Sequence, residues 1–330
     1  MTAIQARAPA LSDLYRPIAA ALESSDRIFR EELASDQPFL RDLCDHVARF
    51  HGKRLRPALL LLVADACGGL RSEHEVLAAV VEMVHIATLV HDDVLDEADV
   101  RRKAPTVNRL CGNEQAVLVG DYLISHSFHL CASLQSQSAS RIIAATSNTV
   151  CEGEMMQVAN RDNLDLTERQ YYDIIGRKTA SLTAACCLLG AEFAVRDEAL
   201  VERMREFGWS LGIAFQITDD LLDITGDEDE AGKSLGRDVH KGKLTLPLMH
   251  FLQTAPREQR SAAIELLRGD RADRHLRIAA MLSESASIDY AREAAESNIR
   301  RAVEILQALP ASASRESLTT MAEFVLARRQ

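Results

Sequence analysis

Apolar residues recur at three- and four-residue intervals along most of the chain, the spacing that puts them on one face of an α-helix. Residues 11–49 read as two helices. The first carries Leu14, Ile18, Leu22 and Ile28, the second Leu40, Leu43 and Val47, and the short polar link ASDQPF joins them. Gly52 is suited to end that pair and Pro57 to open the next helix, a strongly apolar one over 57–68 that Gly68-Gly69 breaks. Further helices are predicted over 73–98, 117–134, 139–158, 168–191 and 197–222. Thr167 is placed to cap the fourth of these, with Arg169 and Gln170 in its first turn. Residues 227–243, DEDEAGKSLGRDVHKGK, are too rich in Gly and charge for that pattern and read as a loop. More helices follow from Leu244, punctuated by Thr254-Ala255-Pro256 and Pro310. No linker is long enough to divide domains. The expectation is one all-α domain, 1–330, of ten or more helices with short connections.

Two stretches break the rules of helix design. Asp92-Asp93-Val94-Leu95-Asp96 puts three carboxylates at the C-terminal end of the 73–98 helix, where the helix dipole disfavours negative charge. Asp219-Asp220-Leu221-Leu222-Asp223 repeats the D-D-x-x-D spacing after the apolar GIAFQIT. Residues four apart share a face, so Asp92 and Asp96 point the same way with Asp93 beside them, and Gln216 shares the face of Asp219. Clustered like charges repel unless cations intervene, and oxygen-only donors suit Mg²⁺ better than Zn²⁺. His85 and His91 are the histidines near the first cluster, too few for a zinc reading.

Cations gather close by. Lys53, Arg54 and Arg56 stand at a predicted helix start, where free N–H groups also favour an anion. Arg101-Arg102-Lys103 follows the first cluster directly. Lys178 lies in the otherwise small and apolar GRKTA stretch, where an ordinary lysine would extend to solvent. The Lys-rich half of 227–243 is placed to close over a polyanion. Asp121, within the 117–134 pattern, is expected to be buried and to need a partner, with His126 or a backbone group weighed equally against a metal.

Composition narrows the chemistry. Apolar residues make up 47% of the chain and aromatics only 5%, which favours close helix–helix packing. The net charge of −11 and the lack of a basic run argue against nucleic acid, so an anionic ligand must be held by local clusters. Seven cysteines without zinc-type spacing suggest reduced, buried thiols and a cytoplasmic chain. No signal peptide and no transmembrane span are expected, although a lipidic product allows transient contact with a membrane surface. Nucleotide-binding glycine signatures are absent.

GKRLRP (52–57), HDDVLDEADVRR (91–102), GRKTA (176–180), FQITDDLLDITGD (215–227) and GKSLGRDVHKGKLTLP (232–247) together resemble the trans-isoprenyl diphosphate synthase, or polyprenyl synthetase, family over about residues 12–329. The resemblance implies a homodimer whose all-α subunits each enclose a central cavity. It implies prenyl transfer from an allylic diphosphate to isopentenyl diphosphate by ionisation, condensation and elimination. It implies three Mg²⁺ ions, held by Asp92, Asp96 and Asp219, with Asp93, Asp220 and Asp223 in support. Arg101, Lys178 and Lys233 would hold the allylic diphosphate, Lys53, Arg56, His85 and Arg102 isopentenyl diphosphate, and Lys243 would join the substrate-binding residues. Thr179, Gln216 and the Lys178 carbonyl would face the allylic cation. Product length would be set by Ala87 and Thr88, small residues just before the first cluster, with Met83 and Phe128 deeper. They favour a long product, around C40, destined for quinone side chains, over a farnesyl- or geranylgeranyl-length one. Lys103 stands where the family usually has Gly. A terpene cyclase is disfavoured by the second D-D-x-x-D and by GKRLRP, and a non-catalytic subunit by the two intact clusters.

Overall fold

A computed structural model describes residues 11–226, 236–269 and 271–327 of the chain. It is all-α apart from one two-stranded ribbon. The helices in order are α1 (Leu11–Leu14), α2 (Ala19–Glu32), α3 (Pro38–Ala48), α4 (Leu55–Cys67), α5 (Ser72–Leu95), α6 (Val107–Cys111), α7 (Asn113–Ser133), α8 (Gln137–Ala159), α9 (Glu168–Ile175), α10 (Ser181–Glu192) and α11 (Glu198–Thr225). There follow α12 (Arg237–His240), α13 (Leu246–Thr254), α14 (Arg257–Arg268), α15 (Arg274–Ser283), α16 (Ser287–Leu306) and α17 (Ala313–Ala327). Strands β1 (Val100–Arg101) and β2 (Ala104–Pro105) pair antiparallel between α5 and α6. The chain divides into two compact units, each built from separate stretches of sequence.

The first unit comprises the described part of Met1–Ala145 with Ala185–Glu206 and Ile305–Phe324. Helix α5 is its axis and packs against α2, α4 and α7. Leu77, Val80, Val81, Met83, Val84, Ile86, Ala87 and Val90 are all buried, so α5 is apolar on every side, as a central helix must be. By length and composition alone α5 is apolar enough to cross a bilayer. Two thirds of that window, 67%, is buried inside the protein itself, the condition of a core helix. Helix α4 is equally apolar, with Leu59 to Ala64 buried in one run.

The second unit comprises Thr146–Ala184, Phe207–Glu304 and the described part of Val325–Gln330. Its core joins Tyr171, Ile174 and Ile175 of α9 to Ile213, Ile217 and Leu221 of α11, whose four-residue spacing makes one stripe. Leu246, Leu248, Met249, Phe251 and Leu252 of α13 complete it. Thr167 caps α9 as its sequence suggests, accepting from Gln170 N while Gln170 Oε1 accepts from Thr167 N at 2.9 Å.

Four local expectations change. The predicted 168–191 helix is interrupted at Gly176–Ala180 by a π-helical turn, closed by Ser181 N donating to Gly176 O. The predicted loop 227–243 contains helix α12, while its first nine residues lie outside the described ones. Asp121 is exposed rather than buried, and its neighbour is His91 Nε2 at 3.7 Å, not His126. All seven cysteines are free thiols, but Cys151 is exposed and Cys111 half-buried.

Candidate active site

The residues singled out from sequence fall on both units, and each set is built within its own. In the first unit, α5 ends at the first aspartate cluster, with Asp96 as its C-cap. The three carboxylates are not equivalent. Asp93 is 1% exposed and is gripped by Arg101, whose Nε lies 2.9 Å from both carboxylate oxygens and whose Nη2 lies 2.8 Å from Oδ1. That bidentate pair offsets the charge the helix terminus disfavours. Asp92 and Asp96 remain half-buried.

Arg101 is delivered by the β1–β2 ribbon. Val100 pairs with Pro105 and Arg101 with Ala104, which leaves Arg102-Lys103 as a two-residue hairpin loop. Both loop residues have positive φ, +51° and +65°, as a type I′ turn demands. This is the physical reason a glycine is favoured at 103. Thr106 Oγ1 and Asn108 Nδ2 both donate to Ala98 O, at 2.6 and 3.1 Å, and so fold the ribbon back onto the end of α5.

The basic residues surround a carboxylate that sequence reading missed. Glu82 lies on α5, one turn before His85, and is 3% exposed. Burial pushes its pKa up to about 7, opposed by the charges of Arg56 and Arg102. Arg56 Nη1 sits 3.1 Å from His85 Nε2, and the buried Arg56 Nε has no hydrogen-bond partner. Burial lowers the pKa of both Arg56 and Arg102, the cost of keeping cations in a dry place. Arg102 Nη1 donates to Phe50 O, and its guanidinium crosses the spot where a side chain at Gly52 would stand. Arg54 pairs with Asp26, while Lys53 is exposed and its carbonyl accepts from the Tyr15 hydroxyl at 2.9 Å. The signal for Glu82 was a lone acid inside the apolar run AAVVEMVHIATLV.

Upstream on α5, Ala87 and Met83 are fully buried, and Thr88 Oγ1 donates to His85 O at 2.7 Å. Phe128 on α7 is 37% exposed in the single chain.

In the second unit a hydrogen-bond relay orders the other cluster. Thr179 Oγ1 donates to Gln216 Oε1 at 2.8 Å, Gln216 Nε2 donates to Asp220 Oδ1 at 2.8 Å, and the Tyr171 hydroxyl donates to Asp220 Oδ2 at 2.7 Å. Asp220 is thereby buried and fully engaged. Burial drives its pKa upward, with the charge of Asp238 adding to the rise and the two hydrogen bonds opposing it. Asp223 accepts from Arg237 N at 3.2 Å and Asp238 N at 3.0 Å, so it holds the start of α12. Asp219 remains half-buried. Lys243 Nζ is 3.7 Å from Asp238 Oδ1, a half-buried acid missed from sequence.

Lys178 projects from the π-helical turn. It does not run to solvent but pairs with Glu154 of α8, and both side chains are largely buried. Gly153 makes that possible, because a Cβ there would lie 2.5 Å from Lys178 N. Arg177, its neighbour, pairs outward with Glu152 and Asp173. Lys233 lies outside the described residues.

Carboxylates at i and i+4 on a helix end are oxygen donors of the kind Mg²⁺ takes. Asp93, Asp220 and Asp223 make the protein contacts given above, and within each cluster the all-oxygen donor chemistry fits the ion. Among the described residues a different group brings three ligand atoms together, Glu32 with His126 and His129.

The Polyprenyl synthetase family pattern matches residues 37–284. The chain is 36% identical over 319 residues to the all-trans-nonaprenyl-diphosphate synthase (geranyl-diphosphate specific) of Rhodobacter capsulatus, covering 96% of this chain and 98% of that protein. It is 33% identical over 319 residues to the geranylgeranyl diphosphate synthase of Sulfolobus acidocaldarius, covering 94% and 97%. The crystal structure of a decaprenyl diphosphate synthase from Rhodobacter capsulatus superposes with a TM-score of 0.91 at 34% identity, over 97% of this chain and all of that one. Long- and shorter-chain synthases are thus matched at similar identity. With the fold, the paired clusters and these likenesses in agreement, the chain belongs to the trans-isoprenyl diphosphate synthase family and is a prenyltransferase of the Mg²⁺-dependent kind.

Proposed function

We propose that this prenyltransferase condenses isopentenyl diphosphate with an allylic diphosphate, farnesyl or geranylgeranyl, to make an all-trans polyprenyl diphosphate of about C40. Asp92 and Asp96 of the first unit and Asp219 of the second would hold three Mg²⁺ ions. Bound there, the metal neutralises diphosphate and makes it a better leaving group. The observation that supports this reading is the repeated D-D-x-x-D spacing at two helix ends, with Asp92, Asp96 and Asp219 half-buried there. Asp93 is ordered by Arg101, Asp220 by Tyr171 and Gln216, and Asp223 by the backbone of α12.

The chain's own residues divide the remaining work. Arg101, Lys178 and Lys243, with Lys233, bind the allylic diphosphate as cations. Lys53, Arg56, Arg102 and His85 bind isopentenyl diphosphate, and the unpartnered Arg56 Nε is a donor suited to a phosphate oxygen. The Thr179 hydroxyl, the Gln216 amide oxygen and the Lys178 carbonyl supply fixed dipoles for the allylic cation. The relay through Asp220 and Tyr171 holds Gln216 in place. The departing diphosphate takes the proton in the elimination step, so no side-chain base is assigned. Small Ala87 and Thr88 leave room for a growing hydrocarbon, and Met83 is the candidate floor. The reading includes a single functional domain, a homodimer, a cytoplasmic location and a product used for quinone side chains.

The test is product analysis by chromatography and mass spectrometry after incubating the purified chain with Mg²⁺, isopentenyl diphosphate and, separately, geranyl, farnesyl and geranylgeranyl diphosphate. Products of C30 to C50 are expected. Arrest at C20 would make the chain a shorter-chain synthase. Turnover without isopentenyl diphosphate would indicate a cyclase, and no turnover by the chain alone a subunit that needs a partner.

A further inference from the structure

Glu32 is the last residue of α2, and His126 and His129 lie on α7. The three-residue spacing of the histidines puts both imidazoles on one face. Their Nδ1 atoms converge on a single oxygen, Glu32 Oε1, at 2.8 Å from His126 and 2.9 Å from His129. All three ligand atoms lie within 4.8 Å of one another. Tyr122, one turn earlier on α7, sets its ring 4.2 Å from that of His126 and so fixes the imidazole's plane. The Glu32 side chain is only 15% exposed and that of His129 is 79% exposed, so the group has a sheltered floor and an open side.

We propose that Glu32, His126 and His129 form a binding site for one divalent transition metal ion of the Zn²⁺ class, separate from the aspartate clusters. Two imidazole nitrogens and a carboxylate oxygen are the donor set of a three-ligand zinc centre with a water in the fourth position. They are a poor set for Mg²⁺, which prefers oxygen alone. The geometry is close to ready. Tetrahedral bonds of about 2.0–2.1 Å put ligand atoms roughly 3.3 Å apart, so each imidazole nitrogen needs to draw back from the Glu32 oxygen by about half an ångström. Loading replaces two N–H···O hydrogen bonds by metal bonds. Each imidazole shifts its remaining proton to Nε2, and no net oxidation or reduction occurs.

The ion would act as a clip. Helices α2 and α7 both pack on α5, and Glu32 is one of the points where the two meet directly. His126 stands six residues, about 9 Å, further along α7 than Gly120, the residue against which His91 rests. The clip therefore braces the helices flanking α5 away from its aspartate end and takes no part in the chemistry.

The full chain, stripped with EDTA and held in millimolar Mg²⁺ to occupy the aspartates, is titrated with Co²⁺ followed by visible absorption and with Zn²⁺ followed by calorimetry. One equivalent is expected, with the intense d–d bands of a four- or five-coordinate ion bearing nitrogen ligands, and a melting temperature that rises with Zn²⁺. His129→Ala, at an exposed position that folding tolerates, is expected to weaken that equivalent at least tenfold. His126→Ala/His129→Ala is expected to abolish it, with Mg²⁺-supported turnover unchanged in both. The proposal is overturned if no such equivalent binds in the micromolar range, or if the double variant keeps it.

Discussion

Gly153→Ala tests how tightly Lys178 is held. Gly153 lies inside α8, and at an unconstrained helical position the substitution would stabilise the protein by about 1 kcal/mol, the difference in helix propensity. Here the new methyl would stand 2.5 Å from Lys178 N, 2.8 Å from Arg177 Cβ and 2.9 Å from Arg177 C. Ordinary contact begins about 1 Å further out. Two of those atoms are main chain and have no rotamer to escape into, so α8 and the π-helical turn must separate. Overpacking of this kind costs about 1–3 kcal/mol, and rigid backbone places it at the upper end. The expected net effect is a loss of about 2 kcal/mol in urea denaturation. Turnover should fall further than stability explains, because Lys178 moves away from Glu154 and from its working position. A misplacement of about 1 Å costs on the order of 100-fold in rate. The assay is diphosphate release from isopentenyl and allylic diphosphates at a temperature where the variant is fully folded. A variant about 1 kcal/mol more stable with unchanged kcat would refute the reasoning.

Three further outcomes are expected. Lys103→Gly removes an L-residue from φ +65° in the hairpin loop. Relief of left-handed strain of about 1–2 kcal/mol, less the entropy glycine restores to the unfolded chain, leaves a gain of about 0.5–1 kcal/mol, and a lower denaturation midpoint would contradict it. Glu82→Gln removes a carboxyl whose pKa rises from 4.5 in the free state to about 7 in the fold. Its contribution to stability is full below the free value and is lost as pH climbs through 7, so wild type should lose up to about 3 kcal/mol relative to the variant between pH 4.5 and pH 8. Parallel pH–stability curves would remove Glu82 as the titrating group. Ala87→Phe fills a fully buried position on α5 and should shorten the product, whereas an unchanged product distribution would take Ala87 off the hydrocarbon path.

By itself the sequence determined what depends on near neighbours. Three- and four-residue apolar spacing set the helices, because side-chain period follows directly from backbone geometry. The Thr167 cap was readable for the same reason, and so was the placing of both D-D-x-x-D clusters at helix ends. Tertiary structure decided everything that joins distant positions. Asp92 and Asp93 look alike in sequence, yet Asp93 is buried against the Arg101 that the ribbon delivers while Asp92 is half-buried. Asp220 is buried against Tyr171, 49 positions away, while Asp219 beside it is half-buried. Gln216 is oriented by Thr179, 37 positions away, and Lys178 is paired by a helix that approaches closely only because Gly153 lacks a side chain. Periodicity marks Phe128 as apolar but does not say which face α7 turns outward, and it is 37% exposed in the single chain. Glu82 and the Glu32–His126–His129 group stayed hidden because a lone charge in an apolar run takes its meaning from whichever helix packs against it. Local spacing carries the pattern of a helix, whereas the choice of partner is made by packing, and packing joins residues that the chain itself keeps far apart.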